Sequence, residues 1–105
     1  MIQQVLFYKL TEKVDESLLR EAMRDSRRIL LRIPEVLSVH SGRSIPPESD
    51  WPFTVILEFE SLAKKKIAED DPNYLKYLRD VVEEYTISSY DLVYETDPSM
   101  DLKYS

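Results

Sequence analysis

The stretch Ile2–Leu10, IQQVLFYKL, is the part of the sequence that decides the fold. If it forms a strand, its side chains alternate between two faces. Val5, Phe7 and Lys9 then share one face. The other face carries Gln4, Leu6, Tyr8 and Leu10. The middle of the strand is apolar on both faces, whereas a sheet with one face in water is polar on that face. We therefore expect both faces of the sheet to be covered.

The composition predicts one folded domain without disulfides. The chain has 105 residues, 43% of them hydrophobic and 32% charged, and no cysteine, which excludes wholesale disorder and thiolate metal sites. No apolar run approaches the ~20 residues that cross a bilayer. The first residues do not resemble a signal peptide. We expect a cytoplasmic protein that does not enter a membrane.

The charge argues against binding to nucleic acid. The formal net charge is −6, and a nucleic-acid binder needs a basic surface to replace the counterions of the phosphates. The cationic runs Arg27-Arg28 and Lys64-Lys65-Lys66 each lie in a predicted helix with acidic neighbours. We interpret both runs as solvated helix faces.

The first helix has a clear beginning and end. Asp15 is a good N-cap, and apolar residues then recur at helical spacing up to Ile33. Pro34 disfavours a helical conformation at Ile33, so we expect the helix to stop there.

Two further strands surround a loop. Val36–Ser41 is the second predicted strand and ends at Gly42, the one glycine of the chain, which suggests a bend or a positive φ. Prolines and short polar residues predict a loop over residues 43–52, and Phe53–Phe59 is the third strand.

The second half of the chain adds helices and a last strand. A short helix runs from Ser61 to about Glu69, and Asp71-Pro72 is a strong start signal for another. That helix has an apolar face made of Tyr74, Tyr77, Leu78, Val81, Val82 and Tyr85. Residues 87–95 form the fourth strand, which completes a domain over residues 1–96, and residues 97–105 form a polar C-terminal tail.

These elements predict an α+β fold of ferredoxin-like type, with a four-stranded antiparallel sheet and helices on one face. The other face would carry Val5, Phe7, Thr54, Ile56 and Val93, which is a large apolar patch for a monomer to expose. Burying each large side chain is worth roughly 1.5–3 kcal/mol. We therefore predict a homodimer in which these five residues form the interface.

The order and spacing of several motifs resemble the stress-responsive α/β-barrel (Dabb) family. They are VLFYKL before a helix, IPEVLSVHSGRSI before a loop, FTVILEFES, and AEDDPNYLKYL before the last strand, so that the resemblance covers about residues 2–95. It implies a homodimer whose two sheets form a dimeric α/β barrel, with a pocket in each subunit between sheet and helices. Small cofactor-independent monooxygenases share this layout but match the motifs less well.

One branch of that family, the plant polyketide cyclases, needs a base and oxyanion donors, and this chain lacks them. Where the branch has histidines, the resemblance aligns Gln4, Phe53, Asp71 and Tyr74. Where it has two supporting tyrosines, this chain has Ser26 and Ala68. The resemblance therefore does not carry cyclase activity over to this chain.

Few other side chains offer chemistry. His40 is the single histidine and a candidate base, although a surface or interface position is the more ordinary interpretation. Trp51 is a pocket lid, a dimer contact or a loop anchor. Glu58 and Asp91 could share a site or bind a cation, or each could face solvent or pair with Lys9 or Arg43.

We expect a ligand pocket lined by Gln4, Ser26, Phe53, Tyr74 and Tyr77. Tyr74 and Tyr77 could hold an aromatic ligand, or they could simply fill the core. The favoured function is therefore a homodimer that binds a small hydrophobic or aromatic molecule without catalysis, cofactor or metal. Two alternatives stay open: a cofactor-independent enzyme, cyclase-like or monooxygenase-like, that uses His40 or a pocket tyrosine, and a structural or oligomerisation protein.

Overall fold

A computed structural model describes residues 1–97 of the chain. Its elements, in order, are β1 Ile2–Leu10, α1 Glu16–Leu30, β2 Val36–Arg43, β3 Phe53–Phe59, α2 Leu62–Glu69, α3 Pro72–Tyr77, a π-helical turn Leu78–Val82, α4 Glu83–Tyr85 and β4 Thr86–Glu95. The predicted order of strands and helices is confirmed. Residues 98–105, and with them nearly all of the predicted tail, lie outside the described residues.

The four strands form one antiparallel sheet in the order β2-β3-β1-β4. Val5 lies opposite Ile56 on one side and Leu92 on the other, and directly opposed residues point to the same face. This register defines two faces. The helix face carries the even positions 4, 6 and 8 of β1 and packs against the helices, and the open face carries Val5, Phe7 and Ile56.

The core lies between the helix face and the helices. All four inward residues of β3 are almost fully buried: Phe53, Val55, Leu57 and Phe59. Ala22, Ile29 and Leu30 of α1 pack over them as the predicted apolar stripe. None of the helices within residues 1–97 is long and apolar enough to cross a membrane.

The helices begin where their caps predict. Asp15 accepts a hydrogen bond from the backbone N of Leu18 at 2.9 Å, and Asp71 accepts one from the backbone N of Asn73 at 2.8 Å. Helix α1 ends at Leu30 rather than Ile33, because the chain tightens into turns with i→i+3 hydrogen bonds before Pro34. Ile33 is nevertheless buried in the core.

Two local predictions are wrong. Gly42 lies inside β2 and does not have a positive φ, because the strand continues to Arg43 while it still pairs with β3. The helix predicted after Pro72 is also not uniformly α-helical. Residues 78–82 form a π turn, which places one extra residue in the helix between Tyr77 and α4.

Candidate functional site

A group of polar side chains converges under the helix face of the sheet. It consists of Gln4, Tyr8, Tyr74, Tyr77 and Asp91, which we call the phenol–amide cluster. Gln4 and Tyr8 are even positions of β1 and so point towards the helices, while Tyr74 and Tyr77 come from α3. Asp91 lies on β4 opposite Leu6, and therefore on the same face.

Two buried phenols form the innermost part of the cluster. The hydroxyls of Tyr8 and Tyr77 are 2.5 Å apart, and either one can donate to the other. Burial raises the pKa of both phenols well above the ordinary value near 10. Both therefore stay neutral near pH 7, where they can donate or accept hydrogen bonds but cannot act as phenolate bases.

Gln4 is the most unusual residue of the cluster. Its side chain is only 2% exposed. Its Nε2 donates to Asp91 Oδ2 at 3.0 Å, but its Oε1 is buried without a hydrogen-bond partner among residues 1–97. Burying an acceptor away from water without a hydrogen-bond partner reduces the stability of the fold by about 1–3 kcal/mol. A ligand group or an ordered water that donates to Oε1 would remove that cost.

Tyr74 lies where the cluster approaches the surface. It is half-buried, and its ring centre is 6.2 Å from that of Tyr77 at an interplanar angle of 51°. Burial is the largest cause that raises the pKa of Tyr74, and the nearby carboxylates of Glu69 and Asp91 raise it further. Tyr74 therefore combines an aromatic face with neighbouring negative charge.

The other two predicted pocket residues are occupied by structural contacts. Ser26 donates to the backbone oxygen of Ala22 at 2.6 Å, which is a bond within its own helix. Phe53 stacks on Tyr8 with ring centres 5.4 Å apart. Gln4, Ser26, Phe53 and Tyr77 each expose 2% or less of their surface, so all four are buried in this structure. Ligand binding among them stays a prediction.

Two surface clefts lie elsewhere. One, of about 110 Å³, is lined by Pro34, Glu35, Leu37, Glu60 and Lys64. The other, of about 280 Å³, is lined by Glu16, Leu19, Arg43, Ser44, Ile45, Pro47 and Pro52. Both are smaller than the ~300–1,000 Å³ of typical ligand pockets, and neither contains a predicted pocket residue.

The other candidate residues do not meet the cluster. His40 is exposed on the open face opposite Ile56 and lines neither cleft. Glu58 also lies on the open face, since it is paired with Gln3, so it cannot share a site with Asp91 on the helix face.

Two further candidates are held in structural contacts. Asp71 caps the N-terminus of α3, and Arg43 forms a salt bridge with Glu16.

The open face carries four of the five predicted interface residues. Val5, Phe7, Thr54 and Ile56 all lie there, each half-buried. The placement of Val93 on this face is wrong, because β4 pairs Val93 with Gln4 and so turns it to the helix face, where it is 45% exposed. Leu92 takes its place beside Val5.

Trp51 adds to the open face. Its ring centre lies 6.4 Å from that of Phe7 and 6.0 Å from that of Tyr90, and the Nζ of Lys9 sits 5.1 Å from it. The sequence left the role of Trp51 open.

Three features of these two faces were not predicted from the sequence: the place of Tyr90, the hydrogen bond between Tyr8 and Tyr77, and the hydrogen bond between Gln4 and Asp91. The alternation of β1 signals that Gln4 and Tyr8 share a face, but their partners depend on strand register.

The fold is that of known dimeric proteins and enzymes. A Dabb family protein from Mesorhizobium loti is 22% identical, with a TM-score of 0.78, over 92% of this chain and 97% of its own. A dimeric protein of unknown function with a ferredoxin-like fold, from Bacteroides fragilis, is 17% identical, with a TM-score of 0.72, over 90% and 95%. A cofactor-independent oxygenase from Streptomyces nogalater is 10% identical, with a TM-score of 0.71, over 94% and 95%.

These similarities confirm the predicted ferredoxin-like fold, which this chain shares with a Dabb family protein. No protein-family model and no curated protein sequence matches the chain. At such identities the shared fold does not by itself carry an activity.

Proposed function

We propose that this chain is a Dabb-family protein that pairs with a second copy of itself and binds a small aromatic molecule in the phenol–amide cluster, without catalysis. The observation that carries the proposal is the buried Oε1 of Gln4, which has no hydrogen-bond partner in the described part of the chain. Natural proteins leave few such groups, and those that persist are often functional. The cytoplasmic location expected from the cysteine-free sequence is part of the same proposal.

The pairing rests on the open face. Phe7, Ile56 and Leu92 are half-buried there and surround Val5, while Trp51 and Tyr90 extend the apolar area. A second sheet packed on this face would remove these side chains from water, at roughly 1.5–3 kcal/mol for each large one. The Bacteroides fragilis protein of the same fold is described as dimeric, which supports the same assembly for this chain.

The chemistry of the cluster supports binding without catalysis. An amide does not titrate, and burial raises the pKa of Tyr8 and Tyr77, which makes them poor bases at neutral pH. The one imidazole, that of His40, is on the opposite face of the sheet. The cluster is therefore better suited to holding a molecule than to deprotonating it.

A cofactor-independent enzyme is the second candidate. The fold shared with a cofactor-independent oxygenase supports it, as does the short contact between the phenols of Tyr8 and Tyr77. Such an enzyme would convert a bound aromatic substrate, whereas a binding protein returns it unchanged. A purely structural dimer, the third alternative, would bind no small molecule in the cluster.

A nuclear magnetic resonance titration tests the binding function. Small aromatic molecules are added to ¹⁵N-labelled protein, and amide shifts are followed along the chain. We expect the shifts to concentrate around Gln4, Tyr74 and Asp91, and recovery of unchanged ligand afterwards. The variant Gln4→Met, which keeps a similar shape without the amide, should lose the response. Shifts confined to the open face or to the two surface clefts would overturn the proposed site.

A further inference from the structure

The orientation of the Gln4 amide is fixed by its neighbour. Nε2 donates to Asp91 Oδ2 at 3.0 Å, and a carboxylate can only accept. Reversing the amide would place its carbonyl oxygen against the carboxylate and lose this bond. Oε1 is therefore the atom that remains buried and unpartnered by any of the described residues. A ligand group that reaches Oε1 must be a hydrogen-bond donor.

The charge beside Gln4 is negative and open to a ligand. Asp91 is exposed, and among residues 1–97 no lysine or arginine forms a salt bridge with it. Glu69 also acts on Tyr74, although Lys65 lies 3.5 Å from it and partly balances its charge. A ligand carboxylate would be repelled here, whereas an ammonium group would find both a counter-charge and two acceptors.

An aromatic wall stands next to these acceptors. Tyr74 is half-buried beside the fully buried Tyr77, so one part of its ring surface is available to a second ring. The π turn begins at Leu78, directly after Tyr77. Such turns are frequent at functional sites, and this one directly follows a residue of the phenol–amide cluster.

Within the proposed binding function, we infer that the ligand is a small aromatic amine. Its ammonium group donates hydrogen bonds to Gln4 Oε1 and to the Asp91 carboxylate, and its ring packs against Tyr74. The amide sets which group of the ligand enters the interior, the carboxylate selects a positive charge, and the tyrosine selects a flat apolar body.

Three probes that share one ring and differ in the terminal group test the inference on the full-length protein. They are 2-phenylethylamine, 2-phenylethanol and 3-phenylpropionate, each titrated by nuclear magnetic resonance at neutral pH. We expect the amine to bind most tightly and the alcohol more weakly, with the carboxylate weakest. Hydrogen bonds to charged groups are worth enough for a difference of about tenfold or more between amine and alcohol.

Two carboxylate variants give the matched comparison. Asp91→Asn removes the charge beside Gln4. It should weaken the binding of the amine by about tenfold or more and change the binding of the alcohol much less. Glu58→Gln also converts a carboxylate to an amide, but on the open face of the sheet, where Glu58 lies opposite Gln3. It should leave the affinity for the amine unchanged.

The outcomes separate the two proposals. If all three probes bind in the cluster with equal affinity, or the carboxylate binds most tightly, the aromatic-amine inference is overturned while the binding function stands. If none of the probes causes shifts around Gln4, Tyr74 and Asp91, both fail. If Asp91→Asn leaves the affinity for the amine unchanged, the role given to that carboxylate is wrong.

Discussion

Single residues on β1 and α3 set the character of the proposed site. Gln4 Oε1 is buried and no residue from 1 to 97 donates to it, and an unpaired buried acceptor costs about 1–3 kcal/mol. Residues that bind ligands commonly reduce the stability of the free protein in this way. The free energy of unfolding should therefore respond to Gln4 differently from an ordinary core residue.

Replacing Gln4 by methionine should stabilise the free protein. The change removes the unpaired acceptor and keeps an unbranched side chain, so we expect the free energy of unfolding in urea to rise by about 1 kcal/mol. Gln3→Met changes the same residue type at a half-exposed position of the same strand and should shift it by less than about 0.5 kcal/mol. Gln4→Met also loses the Nε2 bond to the exposed Asp91, so Asp91→Ala, which removes that bond and keeps the amide, is the control. A loss of stability in Gln4→Met clearly greater than in Asp91→Ala would mean that Oε1 has a partner in the free protein, such as a buried water.

The Tyr8–Tyr77 pair should show strong coupling. Tyr77→Phe and Tyr8→Phe each leave the other hydroxyl buried without its partner, at a cost of about 1–3 kcal/mol in the free energy of unfolding. The double variant leaves no orphaned hydroxyl, so it should cost less than the sum of the two. Additive losses in a urea-denaturation cycle would show that the two hydroxyls do not interact.

The same two phenols predict a fall in stability at alkaline pH. Their pKa values in the folded protein are raised above about 10, the value of an unfolded tyrosine. The unfolded chain therefore loses protons first as the pH rises, and the stability that is fully present below pH ~10 declines above it. Urea midpoints measured from pH 8 to 11 should show this decline, and it should be smaller in the double phenylalanine variant. Equal declines in the wild type and in the double variant would show that these two phenols are not its cause.

The burial of the site residues could be predicted from the sequence, but their partners could not. Alternation along β1 places Gln4 and Tyr8 on one face, and the helical spacing of Tyr74 and Tyr77 turns them towards it. That Gln4 meets Asp91 depends on the register between β1 and β4. These strands lie at opposite ends of the domain's sequence, so no connecting turn fixes their register. The unpaired Oε1 follows only from atomic positions.

At the scale of elements, caps and alternation account for most of the fold. Asp15 and Asp71 begin their helices as predicted. Gly42 was misinterpreted because a glycine can also occupy an ordinary strand position. A Cβ on Gly42 would meet Thr54 Cγ2 at 3.4 Å, an ordinary contact. The π turn at residues 78–82 has no sequence signal, because the apolar face of the helix continues through it.

Asp71 should behave as a helix cap rather than as a reacting group. Its carboxylate accepts from the backbone of Asn73, so Asp71→Ala should lower the free energy of unfolding by about 0.5–2 kcal/mol, and Asp71→Asn, which can also cap, should stay near the wild type. Urea denaturation measures both. Unchanged stability in Asp71→Ala would contradict the capping role.

At the scale of the whole molecule, the sheet within residues 1–97 has one face covered by helices and one that those residues leave open. The sequence predicts this division from the two-sided apolar character of β1, and only Val93 is assigned to the wrong face. The face of Val93 is set by its pairing with Gln4, and the sequence of β4 alone does not give that pairing. The apolar centre at Val5, Phe7 and Ile56 is unaffected by this error.

A charge placed at the centre of the open face should prevent pairing. Ile56→Asp puts a carboxylate where a second sheet would bury it, and an unpaired buried charge costs several kcal/mol. We expect this variant to be a folded monomer, by light scattering after size exclusion and by circular dichroism. Ile45→Asp, at a loop position that is 90% exposed, should assemble like the wild type. An Ile56→Asp protein with the wild-type mass would place the interface elsewhere.

The mass of the wild-type protein in solution, measured by sedimentation equilibrium over a range of concentrations, tests most directly whether a second copy covers the open face. The expected result is a single species of twice the 12.4 kDa chain mass. A folded species that keeps the mass of one chain at the highest concentration would contradict it, because Val5, Phe7 and Ile56 would then be stable in contact with water.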